Sequence, residues 1–217
     1  MRSSKILEMI NAGRIDELKT LLQDEIYSKE ILKSNPGMKK RYAAMKKYFT
    51  YIDSMREACQ KPCVIVFEDL VYTSFCNAYS IVLTTESCGE LEIFDDPNLH
   101  TNVAKVIKYS GTEKKINFTN VIALAKSMGY KLKKSEFDTI KCQYLLHYDG
   151  AYFKLGLLDS SYGIINDGKE ASVYHSDNGK RAPLIIKNDI GVCAVMPVVY
   201  NEPDGTKIII DISKEGM

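Results

Sequence analysis

Apolar and polar positions alternate most plainly near the C-terminus. Residues 183–187 and 192–200 are two β-branched, apolar runs parted by Asn188, Asp189, Ile190 and Gly191, which suit a short loop, so they predict a β-hairpin. Pro197 has no amide hydrogen to give a ladder. It is expected at an edge, a strand end or a bulge, with Val195, Met196 and Val198 beside it at an accessible rim. At the other end of the chain the spacing is helical. Ser3 or Ser4 can cap a helix through Ile6, Leu7, Met9 and Ile10 that Gly13 stops, and Ile15, Leu18, Leu21, Leu22 and Ile26 mark a second. Residues 34–37, Ser-Asn-Pro-Gly, break that pattern. The helical hairpin over 1–37 is open to three roles: an appendage, a dimerisation element or part of the main core.

A third helix is predicted over 38–60, where Met45, Tyr48, Phe49, Ile52, Met55 and Cys59 make an apolar stripe. Lys39, Lys40, Arg41, Lys46 and Lys47 crowd its first turns. Cations there oppose the helix dipole, which suggests a use such as meeting phosphates; a solvated basic face is the alternative. Pro62 ends the helix, and a meander of strands follows at 63–67, 70–75 and 78–84, with a fourth alternating run at 90–94 before the turn at 95–98. Residues 103–107 are a short strand or a connector. The second half restarts with a strand at 115–118, then Thr119 or Asn120 as cap for a helix that Gly129 stops. Lys126, Lys131, Lys133 and Lys134 form a second basic cluster at its end. A hairpin is predicted at 139–148 with Asp149-Gly150 as its turn, then a helix over 152–165 weakened by Gly156 and Gly163, strands at 171–175 and in the opening hairpin, and a further strand at 206–212.

Helix then strands, twice over, predicts an α+β fold: an antiparallel sheet with the helices on one face, in domain 38–217. That domain divides naturally into halves at 38–110 and 111–217. The chain has 217 residues, enough for a real core. Lys plus Arg is 29 against 28 for Asp plus Glu, so any case for nucleic acid rests on local patches. Six cysteines, Cys59, Cys63, Cys76, Cys88, Cys142 and Cys193, sit mostly in apolar runs without a Cys-x-x-Cys pair, and buried thiols of a cytoplasmic protein are expected. No apolar run is long enough to suggest a membrane span. His100, His147 and His175 are isolated and lack metal-ligand spacing, and no phosphate-binding glycine loop or nucleophile elbow is present, so neither catalytic residues, metal nor cofactor is expected.

Residues 182–186, Ala-Pro-Leu-Ile-Ile, followed by Val195-Met-Pro-Val198, resemble the C-terminal signature of the bacterial sliding clamp, the beta subunit of DNA polymerase III. Asn77, Ala78, Tyr79, Ser80 and Ile81 are similar to the clamp's polar corner between two strands. Residues 103–108 resemble the connector that follows it, and 116–128 one of its strand-then-helix units. The resemblance spans about 39–200. It departs from the family at Ala78, where a glycine is usual, at Asn77, where an acidic residue is usual, and in the strand at 206–212, beyond the family's normal end.

The resemblance implies a clamp-like repeat of helix and strands. It further implies a non-catalytic module in which Lys39, Lys40, Arg41, Lys46, Lys47 and Lys126 meet DNA phosphates without reading bases. By position it also implies a pocket for a peptide of a replication or repair protein, made of Asn77, Ala78, Tyr79, Ile81, Val106, Val195, Met196, Pro197 and Val198. Self-association into a homo-oligomer belongs to the same expectation, since a ring would need several copies of a chain this size. Two other classes stay open: a small α+β enzyme or regulator of other chemistry, and a purely structural self-associating domain.

Overall fold

The computed structural model describes residues 11, 34–51, 57–89, 91–138, 140–175, 181–200 and 207–213. The predicted helical hairpin over 1–37 therefore lies outside the described residues, apart from its last four positions and Asn11. The predicted break at 34–37 comes down to Asn35, with Ser34 helical before it and a new helix beginning at Pro36. Asn35 Oδ1 accepts from Met38 N at 3.1 Å and Pro36 fills the first helical position, so α1 runs Pro36–Tyr48. It is shorter than the predicted 38–60; a 3₁₀ turn occupies Glu57–Cys59.

Strands β1 (Cys63–Phe67), β2 (Leu70–Cys76) and β3 (Ser80–Thr84) follow as the predicted meander. Glu68 and Asp69 turn β1 into β2 with φ of 49° and 63°, the left-handed pair that a two-residue hairpin loop requires. No strand forms at 91–94. That segment is tied to the residue before β1 by a backbone bond, Phe94 N to Pro62 O at 2.8 Å, and turns back on Cys88 through Leu91 N at 3.2 Å. Residues 103–107 turn out to be the end of helix α2 (Asn98–Ala104) and the turn after it.

The second half opens with β4 (Lys114–Ile116) and α3 (Phe118–Ser127). The cap is Asn117, whose Oδ1 accepts from Asn120 N at 3.3 Å, two or three positions before the predicted Thr119 or Asn120. Starting early brings Phe118 into the helix, where it is fully buried. After a 3₁₀ turn at Lys134–Phe137 come β5 (Tyr144–Tyr148) and β6 (Ala151–Lys154), joined by Asp149 and Gly150 at φ of 50° and 73°. The predicted helix at 152–165 is thus a strand first. That tight turn pairs Ala151 back onto Tyr148, and α4 begins only at Leu155, ending at Ile165. Strands β7 (Ala171–His175), β8 (Leu184–Lys187), β9 (Gly191–Val195) and β10 (Ile208–Asp211) complete the described chain.

Seven strands form one antiparallel sheet in the order β1-β2-β3-β9-β8-β7-β4, so two three-strand meanders meet through β3 and β9. The predicted C-terminal hairpin is present, but β9 lies inside the sheet, between β3 and β8. The expectation of an edge is met only past the end of the strand: Met196 N still bonds Tyr79 O at 2.9 Å, and Pro197 then takes the chain off the ladder. The last strand covers no edge of this sheet. β10 pairs in parallel with β5 in a second sheet, ordered β10-β5-β6.

Helix α4 packs against β3 and β9 of the larger sheet and β5 and β6 of the smaller, and is buried on nearly all sides. Its glycines weaken helix propensity but permit close approach. A Cβ on Gly156 would stand 2.8 Å from Glu136 Cβ, and one on Gly163 would stand 3.3 Å from Ala44 Cβ, where α1 crosses. Tyr48 Oη, Ser80 Oγ and Ser161 Oγ join α1, β3 and α4 by bonds of 2.9 and 3.0 Å inside this core. The helices do not share one face. Residues of α1, α3 and α4 pack with Phe75, Val82, Cys193 and Val195 on one side of the large sheet, whereas α2 covers Ile65, Ile81 and Leu83 on the other. With both faces covered, β3 reads as an unbroken apolar run, Ile81-Val-Leu83, without the alternation that would have revealed two sides.

Candidate nucleic-acid interface

Two helical turns separate Lys40 from Lys47, which places both on one side of α1. Lys126, in the last turn of α3, faces them. These three exposed lysines line a hollow of about 490 Å³ between α1, α3 and α4, whose lining also includes Tyr51 and two carboxylates, Asp159 and Asp167. Of the six predicted side chains the fold thus brings four together around this hollow, Lys40, Arg41, Lys47 and Lys126. Lys39 and Lys46 are also exposed on α1 but do not line the hollow, and Lys46 Nζ sits 4.7 Å from the centre of the Tyr42 ring.

Arg41 differs from the other five. It is buried, and its guanidinium is held by both carboxylate oxygens of Glu86, with Nε donating to Oε2 at 2.8 Å and Nη2 to Oε1. Nη1 donates to Asn166 O at 3.2 Å. Arg41 therefore lines the hollow with its charge already paired, and it ties α1 to the loop after β3 and to the end of α4.

Asp159, on α4, lines the hollow as well. Burial pushes its carboxyl above the usual range, opposed by the nearby Lys126 ammonium and by a hydrogen bond from Tyr130 Oη of 3.1 Å. Sequence reasoning missed this residue. Its one signal was a lone carboxylate in the apolar stretch Leu155-Gly-Leu-Leu-Asp159.

Tyr51 also borders a second hollow, of about 440 Å³, with Tyr79, Phe137, Lys134, Asp138 and Lys141. The Tyr51 and Phe137 rings stack with centroids 5.1 Å apart and an interplanar angle of 13°. Beneath Tyr79, Lys154 is almost fully buried, with Nζ 4.6 Å from the ring centre and donating to Phe137 O at 2.7 Å; burial lowers its pKa. Asp138 Oδ1 accepts from the amides of Ile140 and Lys141 at 2.8 and 3.1 Å, bonds that hold its carboxylate below the usual range.

The predicted peptide pocket is only partly assembled. Tyr79, Met196, Pro197 and Val198 gather at the end of β3 and β9, and Val198 bridges to Tyr152. Asn77 is buried and shapes the corner, its Oδ1 accepting from Tyr79 N and Ser80 N at 2.8 Å each, while Ala78 is exposed. Ile81 and Val195 are sealed in the sheet and point to opposite faces; Val106 follows α2, on the side of Ile81. The period of two along adjacent strands separates them.

The histidines are occupied by local structure. His100 bonds Ser74 Oγ and Ala58 O, His175 faces Asp149 and Ala182 O, and His147 faces Asp211. All six cysteines are buried thiols. Burial pushes Cys76 to about 12 and also raises Cys63, Cys88 and Cys193, which suppresses the thiolate nucleophile at those four sites. Among the described residues no group of three or more His, Cys, Asp or Glu is placed to hold a metal ion, and no helix is long and apolar enough to cross a membrane. Compared with models of known families, with curated proteins and with solved structures, the chain finds no match.

Proposed function

We propose that this chain is a non-catalytic module that holds the phosphate backbone of DNA in the hollow between α1, α3 and α4. One observation carries the reading: Lys40, Lys47 and Lys126, from two separate helices, converge on one hollow in a chain with almost no net charge. Flexible ammonium groups act as point charges on phosphates and carry no base code, so binding positions the nucleic acid without sequence preference. The sliding-clamp resemblance is kept as part of this proposal. It is supported by the order α1 then β1-β2-β3, α4 then β7-β8-β9, with α1 against α4 and the meanders joined through β3 and β9.

A labelled DNA of mixed sequence, titrated with protein while anisotropy is read, tests the proposal. Affinity is expected to fall steeply with added salt and to be lost in the triple variant Lys40→Glu, Lys47→Glu, Lys126→Glu. A folded wild-type protein that binds no DNA at low salt would overturn it.

A second reading is docking of a partner peptide at the end of β3 and β9, favoured by the exposure there of Tyr79, Met196 and Val199, the last 82% exposed. Loss of partner capture on Met196→Asp and Val199→Asp, with DNA affinity unchanged, would separate the two sites.

A further inference from the structure

The two hollows share Tyr51 as a lining residue, which sets the lysine-lined one beside the aromatic one. The first offers Lys40, Lys47 and Lys126. The second offers the ring faces of Tyr51 and Tyr79, with Lys134 and Lys141 on its border. Cations followed by flat apolar rings match a chain that alternates phosphates with bases. The rings are also set for this use. Tyr51 has one face stacked on Phe137, and Tyr79, with the Lys154 ammonium beneath it, is still 45% exposed.

We infer that the nucleic acid bound here is single-stranded, its phosphates along Lys40, Lys47 and Lys126 and one or two unpaired bases stacked on Tyr51 and Tyr79. The inference rests on the phosphate-binding reading above and adds the strandedness. In a duplex, each base is stacked on its neighbours and its flat face is not available to a side chain. A single strand presents those faces, and stacking on tyrosine tolerates any base because every base has one. The Asp138 carboxylate at the border stays ionised, its Oδ1 accepting from the amides of Ile140 and Lys141, so the bases and not the phosphates are placed in this hollow.

The test compares three labelled DNAs of equal length on the full chain: an oligothymidine, the same strand with abasic sites throughout, and a duplex. Oligothymidine is expected to bind about ten-fold tighter than the abasic strand, and tighter than the duplex. Tyr79→Ala, at a side chain half open to solvent, is expected to lower oligothymidine affinity about five-fold or more while leaving abasic binding unchanged. Equal binding of the oligothymidine and abasic strands, preference for the duplex, or indifference to Tyr79→Ala would overturn the inference and leave phosphate binding standing. Failure of all three DNAs to bind would overturn both.

Discussion

Tyr130 Oη donates a hydrogen bond of 3.1 Å to Asp159 Oδ2, holding a carboxyl in the hollow that Lys40, Lys47 and Lys126 also line. Burial raises the pKa of that carboxyl, so the folded chain binds its proton more tightly than the unfolded chain does. The associated stability is present in full below the ordinary carboxylate pKa and is lost as pH rises through the raised value. Binding of an anion has the same sign, because the ionised carboxylate repels phosphate. Asp159→Asn is expected to bind DNA a few-fold more tightly at neutral pH and to flatten the rise in affinity that wild-type protein gains on acidification. Affinity measured at several pH values on both proteins checks this.

Arg41 lines the same hollow with its charge paired to Glu86. Removing one partner of a buried ion pair leaves the other charge uncompensated, so Arg41→Ala is expected to cost about 3 kcal/mol of stability, and Glu86→Ala a comparable amount. Arg41→Lys recovers only part, since an ammonium cannot reproduce the two-pronged contact. Urea unfolding midpoints of the three variants measure the effect.

His100 sets an acid limit on the large sheet. A carbonyl can only accept, so His100 Nε2–H donates to Ala58 O at 2.6 Å, and Nδ1 accepts from the Ser74 hydroxyl at 2.9 Å. Burial holds the pKa of this neutral ring below the ordinary 6.5. The unfolded chain therefore takes up the proton more readily, and the stability due to His100 is present above the ordinary value and lost as pH falls below it. Wild-type protein is expected to unfold at lower urea at about pH 5.5 than at about pH 7.5. His100→Gln should be weaker at both and show a smaller difference between them.

Elements with a strong local signal were legible in the sequence. The meander of β1, β2 and β3, the hairpin of β8 and β9, and the Asp149-Gly150 turn carry turn residues that fix local geometry. What was not legible depends on partners distant in the chain. Pairing of β9 with β3 places an expected edge in the middle of a sheet, and the covering of Ile81 by α2 puts a helix on the unexpected face. The site divides in the same way. The basic run on α1 is visible as a cluster, yet nothing local distinguishes Arg41, facing Glu86 from 45 positions away, from Lys40 beside it. Tyr51, Phe137 and Tyr79 lie far apart in sequence and could not be joined into a shelf without the fold.

The most direct measurement of the central claim is the slope of log affinity against log salt for oligothymidine, in wild-type protein and in the triple variant Lys40→Ala, Lys47→Ala, Lys126→Ala. Each lysine on a phosphate of a single strand contributes about 0.7 to that slope, so the variant is expected to be shallower by about 2. A variant with wild-type slope and affinity would contradict the claim that these three lysines hold the backbone.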